Sequence, residues 1–104
     1  MTRHIVVTAT GDALIERRMP QYPDEPFQRM LTLIRSADVA FTNLETVLSN
    51  YRGSPIVETG VNLSAEAGVA RDLQRMGFNV TSFANNHTLN YGEEAVLTTL
   101  QVLE

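Results

Sequence analysis

The chain opens on a β-branched run, Ile5-Val6-Val7-Thr8 closing at Ala9, flanked by polar Arg3-His4 and Thr10-Gly11-Asp12. A short unbroken apolar run bounded by turn residues predicts a buried strand over 5–9. Pro20, Pro23 and Pro26 mark the following stretch as loop, because proline lacks an amide donor and fixes its own φ. Phe27, Met30, Leu31 and Ile34 then recur three and four apart, which predicts a helix over 25–36 with one apolar stripe. Residues 39–42 read as a second strand. Residues 46–62 carry Gly53, Pro55 and Gly60 and read as a long surface loop, a kind of segment that often carries function in compact domains.

Ser64 is placed to cap a second helix whose stripe is Val69, Leu73 and Met76, and Gly77 suits the residue just past its end. Residues 78–84 form the third expected strand. A third helix is expected from about Asn90, whose side chain would cap it while Glu93 completes a capping box; Val96, Leu100 and Leu103 supply the stripe. The resulting order, βαβαβα, predicts an α/β fold with a parallel sheet and right-handed crossovers. If the crossovers all turn one way, the helices cover one face, while Ile5, Val7, Val39, Phe41 and Val80 remain to supply an apolar second face. Parallel strands are normally covered on both sides. The pattern therefore predicts part of a larger domain, or self-association through the uncovered face.

Composition narrows the classes. At 104 residues the chain makes one small domain, burying about 60–70% of its unfolded surface. An apolar fraction of 43% and a mean hydropathy of −0.10 suit an ordinary globular protein. Twelve acids face eight bases, all of them arginine, for a net charge of −4. With no basic stripe, nucleic acid is not an expected partner. There is no cysteine, hence no thiolate nucleophile or thiolate-bound zinc. No leader and no apolar run near the roughly 20 residues of a membrane span are visible. The expectation is a cytoplasmic chain, with membrane association only through a further segment or a partner.

The chemistry collects at the expected strand ends. Gly11-Asp12, Asn43-Leu44-Glu45 and Asn85-Asn86-His87 each follow one of the three apolar runs. Open parallel sheets bind ligands in the crevice beyond the carboxyl ends of their strands. Asp12 and Glu45 offer hard oxygens, His87 an imidazole nitrogen, and Asn43, Asn85 and Asn86 amide oxygens. That mixture suits Mn, Fe, Zn or Mg better than a soft metal. Two such cations about 3.5–4 Å apart would form a clamp for phosphoryl transfer. Asn90 reads as a helix cap and His4 as a structural or solvated residue. A Gly-x-Gly-x-x-Gly dinucleotide turn and a Gly-x-Ser-x-Gly elbow are both missing, which removes those two enzyme classes.

Gly11-Asp12 followed by Arg17, then Ala37 through Glu45, then Met76 through Val80, then Ala84-Asn85-Asn86-His87 and Tyr91-Gly92 together resemble the CapA family. These are capsule and poly-γ-glutamate biosynthesis proteins, whose domain is related to calcineurin-like metallophosphoesterases. The resemblance runs in order over nearly the whole chain, and Ala-Asn-Asn-His followed by Tyr-Gly is its most specific part. It implies that residues 1–104 are the N-terminal part of a CapA-like domain, half of a metallophosphoesterase-type α/β sandwich. It also implies catalytic roles for Asp12 and His87, and a divalent metal ion held by Asp12, Glu45, Asn86 and His87. Asn43, Asn85 and Arg17 would meet substrate or phosphate. The implied partners are an anionic polymer or phosphate-type ligand and a polyglutamate synthesis complex.

Two departures from the family pattern bear on this. Asn90 stands where an aspartate usually precedes the Tyr-Gly, and the chain's histidines are only His4 and His87. The resemblance thus implies a metal-dependent phosphoesterase-like hydrolase. Its alternatives are a non-catalytic polymer-binding or scaffolding component and an inactive truncated product.

Overall fold

The computed structural model describes residues 2–58 and 60–104. Its elements run β1 (Val7–Ala13), α1 (Glu25–Arg35), β2 (Val39–Leu44), β3 (Val47–Leu48), β4 (Ser64–Ala65), α2 (Val69–Met76), β5 (Val80–Ser82) and α3 (Glu93–Leu103). β1, β2 and β5 form a parallel sheet in the order β1-β2-β5, and β3 pairs with β4 in a second, two-stranded parallel sheet. The expected α/β class and parallel sheet are therefore present.

β2 is the central strand and its burial alternates. Ala40, Thr42 and Leu44 are buried, whereas Val39, Phe41 and Asn43 on the other face are only half-buried. Ala40 and Leu44 share one core with Leu31 and Ile34 of α1 and Val69 and Leu73 of α2. Burying each of these larger aliphatic side chains contributes about 1.5–3 kcal/mol. One face of the sheet is covered by helices and the other is half open, as the apolar pattern implied.

α1 follows the sequence closely. Asp24, with extended backbone, accepts a hydrogen bond from the Phe27 amide at 3.3 Å, satisfying one of the unpaired donors of the first turn. α2 ends at Gly77, whose φ of 113° is the left-handed conformation that glycine adopts without penalty. A Cβ there would lie 3.1 Å from the Arg35 main chain, so the same glycine lets α1 and α2 approach.

Several expectations are corrected. The first strand is not the buried run 5–9: pairing starts at Val7, opposite Val39, and Ile5, Val6 and Val7 are 70%, 52% and 63% exposed. β1 is an edge strand with one neighbour, and Val6, just before it, is tied to the start of β2 through its carbonyl, which accepts from the Asp38 and Val39 amides at 2.9 and 3.1 Å. Gly11 and Asp12 are not a turn but part of β1, Gly11 within a bulge between Ala9 and Asp12 and Asp12 where pairing resumes. The buried Thr42 hydroxyl donates to the Gly11 carbonyl at 2.9 Å, replacing the ladder bond that the bulge interrupts. Residues 46–62 are not all surface loop. Thr46, Val47, Leu48 and Ser49 are buried, and the Leu48 amide donates to Thr99 of α3 at 3.0 Å.

Ser64 lies in β4 rather than at a helix cap, and Gly68 precedes α2 instead. β5 is shorter than the expected 78–84. Asn90 does not cap α3: Gly92, at φ 87°, occupies that position without a side-chain bond, because the Asn90 side chain is committed elsewhere.

A charged network ties the β1–α1 connection to α2. Arg18 grips buried Asp72 with two bonds, Nε to Oδ2 at 2.7 Å and Nη2 to Oδ1 at 2.8 Å. The Met19 amide donates to the same carboxylate at 2.9 Å, and Arg75 is a further donor. The Arg18 guanidinium holds Asp72 well below the usual carboxylate range, with help from Met19 and Arg75 that outweighs the opposing effect of burial.

Candidate functional site

The bulge in β1 sets the register so that Asp12 pairs with Asn43, and Asn43 in turn pairs with Ser82 just before the 83–92 connection. The carboxyl ends of three strands therefore lie side by side, the position beyond which open parallel sheets bind ligands. Asn43 is the hub. Its Nδ2 donates to Asp12 Oδ1 at 2.9 Å and to Glu45 Oε1 at 3.3 Å. Its Oδ1 accepts from Asn85 Nδ2 at 3.2 Å, and the same Asn85 nitrogen donates to the Leu44 carbonyl at 2.7 Å.

Asn85 also shapes the next turn. Its Oδ1 accepts from the His87 amide at 3.0 Å, an Asx turn that turns the imidazole back over the sheet. His87 Nε2 then faces Glu45 Oε2 at 3.6 Å, both side chains being largely buried. His87 Nδ1 meets Asn90 Oδ1 at 2.8 Å.

Of the residues singled out from sequence, Asp12, Asn43, Glu45, Asn85 and His87 thus form one connected cluster. Asn86 stands exposed on the same turn. Arg17 is exposed on the connection after β1, and among the described residues no hydrogen bond or ion pair joins it to the cluster. Sequence reasoning missed Asn90 as a member, and missed Glu58, which accepts from Asn90 Nδ2 at 3.3 Å. The signal available for Asn90 was Gly92: a glycine at that place can take over the start of the helix and release the asparagine.

The donor chemistry fits a hard or borderline cation in part. Two ligands about 2.1 Å from one tetrahedral ion stand about 3.4 Å apart, close to the Glu45–His87 separation of 3.6 Å. Asp12 and Glu45 both turn a carboxylate oxygen to the one Asn43 nitrogen, so a further positive group could be shared in the same way. Among the described residues, however, no three His, Asp or Glu side chains group closely enough to hold an ion by themselves. Amide oxygens, water or a bound ligand would have to complete the shell.

The model of the family described as bacterial capsule synthesis protein PGA_cap matches residues 6–104. The uncharacterized proteins y4sH and y4uA of Sinorhizobium fredii are each 34% identical over 105 residues, which is 94% of this chain and 22% of theirs. The capsule biosynthesis protein CapA of Bacillus anthracis is 22% identical over 107 residues, 96% of this chain and 26% of its own. The chain spans about a quarter of the length of these relatives. No helix among the described residues is long and apolar enough to cross a membrane.

Proposed function

We propose, because the chain belongs to the bacterial capsule synthesis protein family PGA_cap, that this cluster binds a divalent cation and, beside it, a phosphate-type group of a surface-polymer precursor. The observation that carries this reading is the facing pair of Glu45 Oε2 and His87 Nε2. A carboxylate oxygen and the unprotonated nitrogen of an imidazole are both acceptors, so with His87 Nε2 unprotonated the pair attracts only through a shared proton or cation. Mn, Fe, Zn or Mg would suit these atoms, with Asp12 near the end of β1 and Asn86 on the turn beside His87 as further oxygen donors.

When bound, the ion would polarise a phosphoryl oxygen and lower the proton affinity of water. The chain's own residues do the rest. Asn43 holds the Asp12 and Glu45 carboxylates together. Asn85 fixes the turn that carries His87. His87 presents Nε2 toward Glu45, where the pair would hold the ion, and the Asn86 amide, exposed on the same turn, would meet an anionic oxygen. This is the chemistry of a metallophosphoesterase-like hydrolase or transferase.

Metal analysis of the purified chain tests it. Zinc or manganese should bind the parent and bind Asp12→Ala and His87→Ala markedly less; equal content in all three would remove the assignment. A second reading, a non-catalytic polymer-binding component, is favoured by the lack of a three-residue His, Asp and Glu group among the described residues. It requires binding of short poly-γ-glutamate that survives His87→Ala, and loss of that binding would dismiss it.

A further inference from the structure

Asn90 is fully buried, and its side-chain amide is used at both ends. Oδ1 accepts from the Leu63 amide at 2.9 Å and lies 2.8 Å from His87 Nδ1. Nδ2 donates to Glu58 Oε1 at 3.3 Å. The Asn90 main chain is held too, its carbonyl accepting from the Ile56 amide at 2.9 Å and its amide donating to the His87 carbonyl at 3.0 Å.

These partners fix which way the amide points. A backbone N–H can only donate, so the atom facing Leu63 is the oxygen. A carboxylate can only accept, so the atom facing Glu58 is the nitrogen. Two independent contacts give the same orientation. An amide oxygen cannot donate, so the proton of the His87–Asn90 hydrogen bond belongs to His87 Nδ1. A neutral imidazole has one N–H, and placing it on Nδ1 leaves the Nε2 lone pair facing Glu45.

We infer that Asn90 is a positioning residue that locks His87 in its Nδ1–H tautomer, so that Nε2 is the atom presented to Glu45. The connection between β3 and β4 supplies the lock, since Ile56, Glu58 and Leu63 all hold Asn90 from that segment. Its use in cation binding rests on the function proposed above; the tautomer itself does not. An aspartate at this position would accept the same proton but would add a charge opposite Glu58. Asparagine sets the ring without one.

The test is a long-range proton–nitrogen spectrum of the 15N-labelled chain, recorded about two pH units above the ordinary histidine pKa of about 6.5. Exposed His4 serves as the internal reference, with the Nε2–H form that dominates in free imidazole side chains. His87 should show a pyrrole-type signal at Nδ1 and a pyridine-type signal at Nε2, the reverse of His4. Asn90→Leu should return His87 to the His4 pattern, and Asn90→Asp, which keeps the acceptor oxygen, should retain the Nδ1–H form. A proton on Nε2 in the parent chain, or an unchanged His87 pattern in folded Asn90→Leu, would overturn the inference. Should Asn90→Leu not fold, the parent and Asn90→Asp spectra decide. Adding zinc separates the two ideas: a His87 Nε2 signal that ignores zinc while Nδ1 stays protonated would defeat the cation site and leave the tautomer lock standing.

Discussion

Asp72, fully buried, and Glu45, largely buried, are acids at opposite kinds of site. Asp72 is met by the Arg18 guanidinium, the Arg75 side chain and a backbone amide. Glu45 is met by one amide nitrogen and an imidazole. At Asp72, full positive charges and N–H donors satisfy the carboxylate, and the result is a clasp between the β1–α1 connection and α2. At Glu45 the neighbours are neutral or titratable, one oxygen faces another acceptor, and Asp12 adds a second carboxylate two hydrogen bonds away. Burial without a fixed cation is costly for a carboxylate. The saturated acid is structural; the under-compensated one is where a cation or a proton has something to gain.

Substitutions should separate the two. The largest effect belongs to the cluster: His87→Ala or Glu45→Gln should weaken zinc binding on the order of 100-fold, read by calorimetric titration, while Asp72→Asn should leave it unchanged. Asp72→Asn should instead lower unfolding free energy by about 1–3 kcal/mol in a denaturant titration, discounted from a fully buried pair because Arg18 is 46% exposed.

The pH dependence has a definite sign. Since the Asp72 pKa is lowered in the folded state, its contribution is fully present above the unfolded value of about 3.9 and is lost as pH falls through the lower folded value. The parent should therefore lose its advantage over Asp72→Asn progressively below about pH 4, measured by denaturant midpoints across that range.

Two smaller changes sharpen the contrast by affecting neither acid. Gly77→Ala should cost about 1–2 kcal/mol, because alanine would be forced into a left-handed backbone against the Arg35 main chain. Asp24→Ala should cost about 1 kcal/mol through the lost cap of α1. Thermal unfolding reads both, and zinc affinity of the folded variants should match the parent.

What was legible in the sequence was local. The stripe of α1 and Gly77 act within a few residues, so spacing placed α1 and the left-handed glycine placed the end of α2, whereas the Asp24 cap of α1 became visible only in the structure. The parallel order followed from alternation of strand and helix. Less local features escaped. The β1 bulge depends on how Thr42 meets Gly11 across the sheet, and nothing in residues 5–13 alone marks it. The buried stretch 46–49 was masked by the glycines and proline that follow it. Asn90 with Glu93 satisfies the capping pattern, yet the pattern is blind to Leu63 and Glu58, whose contacts claim the amide. Arg18 and Asp72 lie 54 residues apart, beyond the reach of any periodicity. That Asp12, Asn43, Glu45, Asn85 and His87 would gather was visible because they lie at or just beyond strand ends, and topology brings those ends together without needing long-range detail.

The most direct test is the anomalous scattering of a zinc-soaked crystal collected at the zinc edge. The account predicts a peak about 2.0–2.2 Å from both Glu45 Oε2 and His87 Nε2 and none at Asp72. A cluster without a peak, or zinc bound only away from Glu45 and His87, would contradict it.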